Sequence, residues 1–355
     1  MKWRDNIMAK FDKELAELFG KTFKGDAKIS RVSEDLRGKT ICIYGGNDLG
    51  KTKQASKLPN PIFIPCEQGL NSINGAMVLK TNSWSQFTKH IRKLSDKKFT
   101  SLLDKGVEMT LIIDGVDSLG KYCQDFICSK YGVTDISEGS GDSKVNLYSM
   151  YEKLYWKSIN KVTLLGYTVV FINHDAMDKE LGKLSLSGDK RCTKPIKDNC
   201  DITVHLVSNG VDENNEAIPS SAYLRETEDA FARCRFTHVV DYLEVFTADN
   251  LMNAIKEGIK KQNKEEGFDS VDFKEQQEIY YNNETFESVV EEIKELFYKL
   301  SDMDENSDEQ LHLQKYDEIV SDILGEEVQI SQCTEKNFEA LRVVRDNLEE
   351  YIESL

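Results

Sequence analysis

The run Thr40-Ile41-Cys42-Ile43-Tyr44-Gly45-Gly46-Asn47-Asp48-Leu49-Gly50-Lys51-Thr52 constrains the fold more than any other segment. A short apolar strand leads into G-x-x-x-x-G-K-[ST], and a helical pattern begins at Lys51. That strand–turn–helix setting is what lets this pattern hold a phosphate. Glycines allow the backbone to wrap an anion closely, and the amide N–H groups supply donors. We therefore expect Gly45, Gly46, Asn47, Asp48, Leu49 and Gly50 to form a phosphate cradle. Lys51 is expected to reach the β- and γ-phosphates of a nucleotide, and Thr52 to coordinate Mg²⁺. The bland alternative is a glycine turn followed by a chance Lys-Thr pair.

Further apolar runs follow at residues 62–64, 109–113 and 168–172. Each is nearly continuous in Ile, Val, Leu and Phe, as strands buried on both faces are. Helical patterns separate them, at 84–95 and 145–163, so the body reads as α/β with a mostly parallel sheet and right-handed crossovers. Residues 201–207 and 221–226, joined by a polar turn around Asn209-Gly210, read as an antiparallel edge hairpin. Residues 133–145 read as a flexible Gly/Ser-containing loop.

The charge is unevenly spread over the 355 residues. Residues 261–355 hold 27 of the 62 acids and 9 of the 46 bases, whereas residues 1–260 are nearly neutral. All five prolines lie at or before Pro219, and the remainder reads as helices. We expect three parts: an N-terminal helical extension over 1–36, a core over 37–262, and a small acidic helical C-terminal module over 263–355. The module reads most simply as a solvated cap with acids outward. A brake that competes with a polyanion, or a dock for a basic partner, are the sharper readings. No run of about 18 apolar residues occurs, which argues against a membrane span. The first residues show no signal-peptide pattern, and eight cysteines without one point to reduced thiols and a cytoplasmic location. Cys123-x4-Cys128 and Cys192-x7-Cys200 lack a second ligand pair, so zinc is not expected.

Two carboxylates fall at strand ends beside the phosphate turn. Asp114 closes the strand Leu111-Ile112-Ile113 and is placed to hold Mg²⁺. Gly115 follows it, so no second acid stands directly after the metal ligand. Asp117 reads as a helix N-cap. Glu67, after Ile62-Phe63-Ile64, is the candidate to orient an attacking water.

Strand, GxxxxGKT, FIPCEQGL and LIIDGVDSL in that order resemble the RecA-like P-loop ATPases. KLPNPIFIPCEQGLNSI and TNSWSQF are similar to the phage-type ATP-binding members associated with single-strand annealing and recombination. The resemblance covers roughly residues 38–245. It implies a RecA-like NTPase core that uses ATP and Mg²⁺ and acts on single-stranded DNA. It implies that His174 senses the γ-phosphate. It also implies that Lys179, Lys183, Lys190, Arg191 and Lys194, on the loop 175–195, contact the strand, although no aromatic residue lies among them. Arg233 and Arg235 would reach a neighbouring subunit's nucleotide in a ring or filament. A recombination or single-strand-binding protein is the implied partner. Asn173-His174-Asp175 is not a guanine-reading pattern, which favours ATP. Two rivals are a nucleic-acid-binding scaffold that keeps ATP as a structural ligand, and a P-loop small-molecule kinase. The absence of arginine from 133–145 counts against the kinase.

Overall fold

In a computed structural model the described residues are 13–23, 28–67, 69–141, 144–280, 284–304, 310–326 and 328–355. The expected N-terminal extension falls partly outside them; within them, Lys13–Thr22 is helical.

Nine strands form one sheet: β1 (Thr40–Gly45), β2 (Pro61–Pro65), β3 (Met77–Val78), β4 (Thr110–Asp114), β5 (Thr168–Asn173), β8 (Ile202–Val207), β9 (Ser221–Tyr223), β10 (Arg233–Cys234) and β11 (Tyr242–Leu243). A separate two-stranded hairpin consists of β6 (Asp175–Asp178) and β7 (Lys183–Leu186). The order across the sheet is β11-β9-β8-β1-β5-β4-β2-β3, with β10 also on β8. From β8 to β3 every pairing is parallel, while β9 and β10 pair antiparallel with β8, and β11 antiparallel with β9. The expected edge hairpin is β8 with β9, and β8 also pairs with β1.

Side-chain alternation explains why these strands are apolar throughout. Cys42, Tyr44, Leu111, Ile113, Val169 and Phe171 face one layer of helices: Trp84–Leu94, Val116–Tyr131, Leu147–Leu164 and Lys190–Asn199. Ile41, Ile43, Ile112, Val170 and Ile172 face the other, which includes Lys51–Ala55 and Ala248–Glu266. Burial on both faces removes the need for polar positions.

The basic segment 175–195, expected as a mobile loop, is instead the β6–β7 hairpin and the first turns of the helix Lys190–Asn199. That helix contains Pro195.

The chain divides into two compact units between Ile279 and Tyr280 rather than at 262/263. The reason is packing beyond the expected boundary. The helix Ala248–Glu266 buries Leu251, Ile255 and Ile259 against the sheet, and Asn263 Nδ2 donates to Val32 O at 3.0 Å. Phe273 donates its N–H to Asp35 at 2.8 Å and lies 5.7 Å beneath the Arg37 guanidinium. The second unit packs Phe286–Asp304, Leu311–Leu324 and Phe338–Glu353 around its own core of Val289, Ile293, Leu300, Leu341, Val344 and Leu348. No helix among the described residues is long and apolar enough to cross a membrane.

Candidate nucleotide site

Parallel register brings the strand ends to one crevice. Tyr44 pairs with Asn173, Asp114 with Ile172, and Pro65 with Asp114. Ligands of open parallel sheets bind at this carboxyl edge. Gly45 ends β1. The turn that follows holds Asp48 at φ 60° and passes through Gly50 at φ 79°, the left-handed region that glycine enters at little cost. Lys51 then starts the helix Lys51–Ala55. Its ammonium is buried and donates to Gly45 O at 2.9 Å and Gly46 O at 2.5 Å. Asn47 and Leu49 complete the turn, and Leu49 O accepts from Ser220 at 3.1 Å. Burial lowers the Lys51 pKa from its ordinary value. The carboxylates of Asp175, Asp114, Asp48 and Glu67 act in the opposite direction and favour the cation.

Thr52 Oγ1 donates to Asp114 Oδ2 at 3.2 Å. Asp114 is 5% exposed, and burial pushes its carboxyl from 3.8 up to about 6, with Glu67 adding to the rise. Thr52, Lys51 and His174 oppose that shift.

β2 carries Glu67 alongside. Cys66 N–H continues the β2–β4 ladder by donating to Asp114 O at 2.8 Å, which sets Glu67 beside Gly115. Gly115 has φ 99°, and a Cβ built there would lie 2.7 Å from Glu67 Cγ and 2.9 Å from its Oε1. Glu67 thus occupies the space that a side chain at 115 would need. Ser118 Oγ donates to Glu67 Oε1 at 3.3 Å, and His174 Nε2 lies 3.9 Å from Glu67 Oε2. Lys51, Thr52, Asp114, Glu67 and His174 therefore converge.

Hard oxygen donors from one hydroxyl and one carboxylate, next to a lysine and exposed loop amides, suit Mg²⁺ bound together with nucleotide phosphates. Thr52 and Asp114 are the residues that would hold the metal.

Other expected residues are not brought to this crevice. Arg233 donates to the carbonyls of Lys197 at 3.0 Å and Asp198 at 2.7 Å. Arg235 donates to Asp198 O at 3.1 Å and Asp201 Oδ1 at 3.4 Å. Both sit where β10 pairs with the start of β8, at the opposite end of the sheet from Gly45. Lys183 is engaged by Glu226 at 3.0 Å and Thr227 O at 2.8 Å, and Lys190 by Glu180 at 2.5 Å. Arg191 Nε binds Asp189 at 2.8 and 3.0 Å. Lys194 and Lys179 are exposed. Asp117 does not cap the helix Val116–Tyr131, whose N-cap is Gly115; its carboxylate accepts from Asp189 N–H at 3.1 Å.

Three contributors escaped sequence reasoning. Asp175, the first residue of β6, is the foremost opposite charge acting on Lys51. Its place next to His174 at a strand end was the available signal. Ser118 lies inside the LIIDGVDSL stretch, where no pattern singles it out. His205 on β8 is buried beside Tyr44, with ring centroids 4.9 Å apart, and neither ring nitrogen has a hydrogen-bond partner among the described residues. Its Nε2 lies 3.9 Å from Asp175 Oδ2. No sequence pattern marks it.

Comparison with known proteins agrees with this geometry. The chain is 39% identical over 328 residues to the SPbeta prophage-derived uncharacterized protein YorG of Bacillus subtilis (strain 168), covering 92% of this chain and 97% of that protein. A family model described as AAA domain matches residues 37–236, the span that carries the phosphate turn, Glu67, Asp114 and His174, and the chain belongs to this family of P-loop ATPases.

Proposed function

We propose that the protein hydrolyses ATP with Mg²⁺ and couples this to single-stranded DNA in recombination or annealing. The observation that carries the hydrolytic reading is the approach of Glu67 to Gly115, one residue beyond Asp114. A carboxylate there would stand at the crevice beside Thr52 and Asp114, the pair that would hold the metal. Lys51 would exchange its two loop carbonyls for phosphate oxygens, so that donor and acceptor are both ionised where only the donor was before. Mg²⁺, when bound, would neutralise charge on the β- and γ-phosphates. Glu67 would accept a proton from the attacking water, with Ser118 fixing one of its oxygens and His174 standing near the other. The relative's prophage origin is in keeping with the DNA part of the reading, which otherwise rests on the RecA-like resemblance.

The test is phosphate release with and without Mg²⁺, measured in the absence of nucleic acid and then with single-stranded DNA, duplex DNA and RNA. Mg²⁺-dependent turnover that rises with single-stranded DNA is expected, and Glu67→Gln should bind ATP yet lose turnover by about 10²- to 10⁴-fold. Tight ATP binding with no turnover in the unaltered protein would favour a scaffold that keeps the nucleotide.

A further inference from the structure

A groove separates the helices Leu147–Leu164 and Lys190–Asn199 on the face of the sheet that carries the larger helix layer, with a cavity of about 1140 Å³. Lys153 and Lys157 line it from the first helix and Lys194 from the second. All three are exposed, and none has an ion pair or hydrogen bond among the described residues. Lys153 and Lys157 are four residues apart, so they stand in one row, roughly 6 Å apart along the axis. Two aromatic side chains, Tyr131 and Trp156, share the lining. Trp156 is half-buried and rests on Phe171 with ring centroids 6.3 Å apart, which fixes its plane. The acids Glu152 and Asp198 also line the groove. Beyond Asp198, outside the lining, Arg233 closes on the carbonyls of Lys197 and Asp198, and Arg235 is held by Asp198 O and the Asp201 carboxylate.

We infer that this groove binds single-stranded nucleic acid, with the lysine row on the phosphates and Tyr131 and Trp156 against the bases. The inference rests on the DNA part of the proposed function and gives it a location. The β6–β7 hairpin and the start of the helix after it are a poorer platform, because Lys183 and Lys190 are already neutralised by Glu226 and Glu180. A lysine free of a carboxylate carries condensed counterions that a phosphate displaces, whereas a paired one must first be separated from its partner. Rigid aromatic faces between cations are what a single strand uses, since every base offers a π-face. A purely acidic polypeptide such as polyglutamate has no ring to stack on them and would engage the lysines alone.

The experiment measures the affinity of the full-length protein for a fluorescein-labelled oligothymidylate by anisotropy over a range of salt concentrations. The salt slope attributable to the three lysines is about −2, at roughly −0.7 per phosphate neutralised on a single strand. The triple variant Lys153→Gln, Lys157→Gln, Lys194→Gln is expected to remove that part of the slope, with unchanged thermal melting. Crosslinking of a bromouracil-containing strand should map to Tyr131 or Trp156. Lys179→Gln with Lys190→Gln should leave the slope unchanged. An unaltered slope in the triple variant, or loss of slope in the hairpin variant, overturns the groove while leaving strand-stimulated phosphate release intact. A strand that neither binds nor stimulates the unaltered protein overturns both readings. Displacement of the strand by polyglutamate of equal charge overturns the assignment in favour of an acidic polypeptide.

Discussion

Thr52 Oγ1 donates to Asp114 Oδ2 across 3.2 Å, so the end of the phosphate turn and the end of β4 meet at a single point. Asp114→Asn preserves the shape and removes the charge. We expect the Mg²⁺ concentration for half-maximal turnover to rise by at least the roughly 10- to 100-fold that loss of a metal site's supporting partner costs. A Mg²⁺ titration of phosphate release measures it.

The same carboxyl sets a pH dependence. It takes its proton at about 6 in the folded chain against an ordinary 3.8. Without metal, this group favours folding fully below 3.8, and that contribution is lost as pH rises through about 6. Metal binding needs the carboxylate and runs the other way. Turnover should therefore fall as pH drops through about 6, and Mg²⁺ with nucleotide should raise the melting temperature more at about pH 7.5 than at about pH 5. Melting curves with and without Mg²⁺-nucleotide at the two pH values check the sign.

Lys51→Ala removes the ammonium held by Gly45 O and Gly46 O. In the proposed complex that ammonium would turn to phosphate oxygens, and two charge-assisted hydrogen bonds there, of about 1.5 kcal/mol or more each, correspond to a loss of nucleotide affinity of roughly a hundredfold or greater. Fluorescent-nucleotide titration reads this directly, and near-normal affinity would remove the lysine from the site.

Gly115→Ala places a Cβ within 2.9 Å of three Glu67 side-chain atoms on a backbone at φ 99°. A residue forced into such a conformation costs about 1–3 kcal/mol. Lower melting and a fall in turnover comparable to that of Glu67→Gln are expected, with ATP affinity retained. Thermal melting, turnover and nucleotide titration on the one variant separate these effects.

Arg233→Ala strips two carbonyls at the end of the helix Lys190–Asn199 of their donor. Destabilisation of about 1–3 kcal/mol should appear in chemical denaturation. Turnover that collapses while stability is unchanged would instead place this arginine on a nucleotide.

Much of the crevice was legible in the sequence because each element announces itself locally. β1, β2, β4 and β5 are apolar runs that end in Gly45, Pro65, Asp114 and Asn173, and the candidate groups lie at or just beyond their termini. What escaped depends on distant partners. β3, β10 and β11 are two residues long and exist only because a neighbour pairs with them. The segment 175–195 reads as a loop because its charges look unsatisfied, whereas Lys183–Glu226, Lys190–Glu180 and Lys197–Asp178 tie it into a hairpin and a helix. Pro195 adds to the illusion, since proline in a helix interior usually marks a break. The boundary near 262 follows composition, but Phe273 follows packing against the segment around Asp35 and Arg37.

Glu67 and residue 115 compete for one volume. An acid placed directly after Asp114 would push the Glu67 side chain aside and would sit on a backbone at φ 99°, so the two arrangements oppose each other. The glycine that looks like a missing reactive group in the linear text is a vacated seat, and its occupant arrives from the adjoining strand. In relatives of this chain the two positions should therefore change together: a bulky residue at the glycine's place predicts that the glutamate has been lost or has moved.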